Sequence, residues 1–87
     1  MNPMATTLSR PDADTIVRAA LRGCAEESEL ATLSEHESIR RALDLDSLDF
    51  LTFIERLSTA RRARIEEDDY PRLSTIRSCV DFLTATP

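Results

Sequence analysis

One glycine and four prolines in 87 residues leave this chain few places to turn tightly. A β-sandwich or small barrel needs a turn about every 8–12 residues, and glycine and proline supply most of them. That class is excluded. Alanine, leucine, glutamate and arginine are abundant, and they favour helices. The length allows one domain. A chain this short buries little more than about 60% of its unfolded surface, so a wide internal active site does not fit. At 41% hydrophobic it still has enough apolar material to fold.

Three stretches carry the apolar spacing of helices. The first runs from about Pro11 to Glu26. Ser9 and Asp12 have capping-box spacing, and Pro11 suits a first helical turn. Ala13, Ile16, Val17, Ala20, Leu21 and Cys24 fall on one arc at about 100° per residue, opposite Arg18, Arg22 and Glu26. The second helix starts at Asp46 or Ser47 and ends near Ala60. Asp46 and Asp49 again have cap and N3 spacing. Phe50, Phe53, Ile54 and Leu57 form its core arc, while Leu48 and Leu51 lie on the far side beside Glu55 and are expected exposed. The last helix follows Ser74 as N-cap, with Ile76, Cys79, Val80 and Leu83 as its stripe.

Between these lie weaker patterns. From Glu27 to Ala42 the apolar residues are sparse, which reads as a long loop with Leu30, Leu33 and Ile39 as anchors. The lone histidine, His36, falls there and reads as an exposed loop residue. Residues 66–72, ending in Tyr70 and Pro71, read as a short helix or turn. The expected fold is all-α: a small four-helix bundle of three longer helices and one short third helix, with a long loop between helices 1 and 2. It occupies residues 10–85 behind a flexible tail at 1–9.

Sixteen acids against eleven arginines, with no lysine, give a formal charge of −5. An acidic chain makes a poor nucleic-acid binder and attracts basic protein surfaces. No apolar run approaches the roughly 18 residues that cross a bilayer, so no membrane insertion is expected. Met1 to Arg10 lacks a signal-peptide core, which points to a cytoplasmic protein, and the chain is expected to be a monomer. Cys24 and Cys79 have no partners in sequence that suggest a disulfide or a metal site, and both read as core.

Ser47 carries the functional argument. As the first residue of a helix it lies beside free backbone N–H groups and the positive dipole end, which favour an anionic group on its hydroxyl. An ordinary helix-start serine would show the same features. A nucleophile is poorly supported, because there is no G-x-S-x-G elbow and the single histidine is a weak base candidate. A third possibility is a serine that accepts a phosphate-linked group.

Asp44-Leu45-Asp46-Ser47-Leu48-Asp49-Phe50 resembles the D-S-L signature of acyl carrier proteins. Three further segments extend the likeness over residues 12–84. Ser47 through Leu57 keeps the family's helix pattern. Ile65 with Glu66 to Pro71 resembles its acidic short helix, and Thr75 to Leu83 resembles its closing helix.

The resemblance implies a carrier and not an enzyme. A phosphopantetheinyl transferase would attach 4′-phosphopantetheine, taken from coenzyme A, to Ser47. Acyl groups would ride on the arm as thioesters, presented to acyl-loading, synthase or acyltransferase enzymes of fatty acid, lipid or polyketide biosynthesis. Asp46 and Leu48 would frame the serine. Asp44, Leu48, Asp49, Leu51, Glu55 and Arg56 would face partners, and Phe50, Phe53, Ile54 and Val80 would line an acyl cleft.

Four departures from the family pattern stand out. Asp44 replaces a common glycine, Glu55 replaces an apolar residue, and the proline after Ile65 is missing. Arg56, Arg61, Arg62 and Arg64 occupy the end of a helix that is usually acidic. They point to a specialised, freestanding, bacterial-type carrier with its own partners. Two alternatives stay open: a peptidyl or aminoacyl carrier, and an unmodified helical adaptor that binds through Leu48 and Leu51.

Overall fold

The computed structural model describes residues 8–85. It is helical, with no strand among the described residues: α1 (Arg10–Ala20), α2 (Glu27–Thr32), α3 (Ile39–Ala42), α4 (Ser47–Arg61), a 3₁₀ segment (Glu67–Leu73) and α5 (Ile76–Thr84). The tail expected at residues 1–9 lies outside the described residues except for its last two. Ser9 caps α1 and half-buried Leu8 packs against the core.

α1 starts as the sequence predicts, with Ser9 Oγ accepting the Asp12 N–H at 3.2 Å. Ala13, Val17 and Ala20 are buried, and the helix packs against α5 and α4. It ends at Ala20 and not at Glu26. The N–H groups of Leu21, Arg22 and Cys24 tighten onto carbonyls three residues back, and Gly23 takes φ +88°. Only glycine adopts that conformation without strain, so the chain's one glycine serves as a helix stop. Leu21 still reaches the core, but Cys24 is half-buried, its Sγ 4.0 Å from the Asp49 carbonyl oxygen. Ile16 is also only half-buried.

The stretch 27–42 is not a plain loop. It contains α2 and α3, each too short to show a helical period. Their starts are fixed locally: Glu29 Oε1 accepts the Glu26 N–H at 3.1 Å, and Ser38 Oγ accepts the Arg41 N–H at 3.3 Å. Leu30, Leu33 and Ile39 are buried, as expected of anchors. Arg18, placed on the solvent side by periodicity, is half-buried. It donates to the Leu30 carbonyl at 2.7 Å and to Asp14 at 2.8 Å, tying α2 to α1.

α4 is capped by Asp46, whose Oδ1 accepts the Asp49 N–H at 2.8 Å. Phe53, Ile54 and Leu57 are buried, while Phe50 is half-buried at the rim of the core. The helix stops in a Schellman turn: Ala63 N–H donates to Ser58 at 3.3 Å and Arg62 N–H to Thr59 at 3.2 Å. Arg62 holds the left-handed position at φ +60°, where glycine is usual.

The 3₁₀ segment matches the expected short element and packs on α5 through buried Leu73. α5 is capped by Thr75 and not by Ser74. Thr75 Oγ1 accepts the Ser78 N–H at 2.9 Å, and Ser78 Oγ accepts the Thr75 N–H at 3.1 Å. The Ser74 carbonyl instead accepts the Ile39 N–H at 2.8 Å, and Arg77 N–H donates to the Glu35 carbonyl at 2.9 Å. These two bonds fasten α3 and the segment before it onto the start of α5. The buried stripe of α5 is Ile76, Cys79, Val80 and Phe82, with Leu83 half-buried. Burial pushes the Cys79 thiol up to about 12, because the thiolate would lose its hydration there. Among the described residues no polar or charged side chain is buried, so the core is held by apolar packing, at about 1.5–3 kcal/mol for each large side chain removed from water.

Candidate attachment site at the start of α4

Ser47 is the first residue of α4 and is exposed. The Asp46 carboxylate takes the N–H of Asp49, which fixes the direction of the first turn. The approach from Leu43 is shaped by Asp44, at φ +54°. Aspartate tolerates this left-handed conformation better than most residues. Asp44 thus holds a left-handed conformation that glycine would adopt more freely. Leu43 and Leu45, on either side of Asp44, are buried and hold the turn in place.

The surface around Ser47 is apolar with an acidic edge. Leu48 is 72% exposed and Leu51 44%, and they are the large exposed hydrophobic residues among those described. Asp44, Asp46 and Glu55 are exposed and Asp49 is half-buried. Both leucines are exposed, as the helical wheel leads one to expect.

A groove of about 440 Å³ opens beside the serine. Ser47, Phe50 and Leu51 of α4 line it with Arg40 of α3 and Tyr70 of the 3₁₀ segment. The Phe50 ring meets Tyr70 edge-on at 6.2 Å and Phe53 at 6.1 Å, and the Arg40 guanidinium lies 5.2 Å from its centroid. Of the four residues expected to line a cleft, only Phe50 lines this one. Phe53, Ile54 and Val80 are buried in the core behind it. Arg40 and Tyr70 escape a sequence reading because they lie on other elements, α3 and the 3₁₀ segment, and no local pattern links them to Ser47.

The arginines at the other end of α4 have intramolecular work. Arg56 is an exposed residue, yet its Nη1 donates to the carbonyls of Ala20 at 3.3 Å and of Arg22. It thereby places positive charge where α1 presents unpaired carbonyls. Arg61 and Arg72 lie 4.5 and 4.8 Å from the centroid of the Phe82 ring, and Arg64 pairs with Glu66 at 3.5 Å. His36 is exposed beside Glu35, as expected of a loop histidine.

Among the described residues no group of His, Cys, Asp and Glu could hold a metal ion, and no helix is long and apolar enough to cross a membrane. No protein-family model and no curated protein matches this chain.

Proposed function

We propose that this chain is an acyl carrier protein with Ser47 as the attachment point for 4′-phosphopantetheine. The observation that carries the reading is the position of Ser47: exposed, first in its helix, flanked by exposed Leu48 and Leu51 and beside an open groove. A carrier requires a hydroxyl that another enzyme can reach, a rigid helix start that presents it, and a surface that enzyme can read. Ser47 supplies the hydroxyl. The Asp46 cap and the buried anchors Leu43 and Leu45 supply the rigidity. Leu48 and Leu51, edged by Asp44, Asp46, Asp49 and Glu55, supply a surface suited to a partner with an apolar spot inside a basic ring. The arm, when bound, contributes a terminal thiol that holds acyl groups as thioesters.

The residues present fit that arm. The groove beside Ser47 has room for part of a slender chain, and its walls of Phe50, Leu51 and Tyr70 suit apolar segments. The four-helix arrangement of α1, α4, the 3₁₀ segment and α5 belongs to the same reading, with α2 and α3 as additions in the first connection. Partners would be a phosphopantetheinyl transferase and the acyl-loading, synthase or acyltransferase enzymes of a fatty acid, lipid or polyketide route.

The exposure of Leu48 and Leu51 equally favours an unmodified helical adaptor. Incubation with coenzyme A and a broad-specificity transferase, followed by intact mass, separates the two. The carrier gains one phosphopantetheine that Ser47→Ala abolishes. An adaptor gains none.

A further inference from the structure

Arg40 is the one charged side chain that lines the groove at Ser47. It stands at the N-terminal end of α3, its guanidinium 5.2 Å from the centroid of Phe50. Phe50 is three residues beyond Ser47 on α4, so the two project from neighbouring positions of one helix face. A cation held over an aromatic ring has limited freedom, and Arg40 takes part in no salt bridge among those formed by the described residues. The residues that flank Ser47 in sequence include the acids Asp44, Asp46 and Asp49. An anion attached to Ser47 would meet repulsion from these carboxylates and attraction from Arg40 and the start of α4.

We infer that Arg40 is the counter-ion for the phosphate group linked to Ser47, so that the root of the arm lies across the groove against Phe50. This rests on the carrier reading above and extends it to a positioning residue outside the signature. Chain geometry favours the phosphate over any later part of the arm. The phosphorus is bonded directly to the serine oxygen and must stay near Ser47, whereas the thiol end is free to range. The fork of the guanidinium matches two phosphate oxygens. The placement has a consequence for specificity: with the root of the arm on Phe50, the open groove is partly occupied before any cargo arrives.

The test places phosphoserine at position 47 of the full chain and follows its ³¹P signal through a pH titration. This probe does not depend on any transferase. With Arg40 present the second phosphate ionisation is expected about 0.5 pH unit lower than in Arg40→Met, the order of size one neighbouring charge has in a solvent-exposed site. Arg40→Lys should recover part of the difference, and 1 M salt should shrink it. Far-UV circular dichroism checks that the variants stay folded. Equal titration curves for Arg40 and Arg40→Met would overturn the inference while leaving the carrier reading intact. That reading is judged separately, by whether Ser47 of protein from its own host carries the arm. If it does not, the inference falls with it.

Discussion

The two ends of α4 carry opposite charge and meet solvent differently. At the N-terminal end, Asp46 caps the helix and Leu48 and Leu51 lie open beside Ser47. At the C-terminal end the arginines are engaged: Arg56 on the carbonyls that end α1, Arg61 on Phe82, and Arg64 on Glu66. One end has apolar surface left over, and at the other Arg56 and Arg61 reach neighbouring segments. A surface left unsatisfied by the fold is free for a partner; charges already paired within the chain are mainly structural. The net charge of −5 hides this division.

Substitutions at each end test it. Ile54→Glu should have the largest effect. The residue is buried at 3% exposure, and an unpaired charge there costs several kcal/mol against a total stability of about 5–15. Chemical denaturation should find the variant unfolded, whereas Leu51→Glu, one turn earlier but exposed, should keep full helical content and lose transfer to partner enzymes. Matching behaviour of the two would break the assignment of faces. Arg56→Met, which keeps the stem and removes the donors, should cost about 1 kcal/mol in urea unfolding. If Arg56 instead served partners alone, stability would not move. Arg62→Gly should gain about 0.5–1 kcal/mol, because glycine relieves the left-handed conformation that ends α4.

The cysteines give a prediction about pH. Cys79 is buried with its ionisation raised to about 12, whereas Cys24 is half-buried. A thiol reagent at pH 8 should label Cys24 in the folded protein and reach Cys79 only after unfolding. A raised value means the folded state holds the thiol proton more tightly than the unfolded state. That contribution is fully present below about pH 9 and is lost as the pH rises towards 12. Stability above pH 9 should therefore fall more steeply in the parent than in Cys79→Ala.

Most of the core was legible because it follows helical spacing: Ala13, Val17, Phe53, Ile54, Leu57, Ile76 and Cys79 are all buried. The exposed leucines were legible for the same reason. The misreadings share a cause. Leu21 and Cys24 continue the apolar arc of α1 past Gly23, although the glycine ends the helix. α2 and α3 read as loop in the sequence because helices of 6 and 4 residues are held by caps and long-range bonds, which periodicity does not report. Ser74 looked like the cap of α5, but its carbonyl is taken by Ile39 and Thr75 does the capping. The groove depends on Arg40, Phe50 and Tyr70 meeting across three elements, which no single segment could announce.

The most direct measurement is the intact mass of the protein purified from its own host, alongside Ser47→Ala prepared in the same way. The account predicts that the parent carries one phosphopantetheine, free or acylated, and that the Ser47→Ala protein has only the mass of its polypeptide. A parent without that addition, or an addition that survives Ser47→Ala, would contradict it.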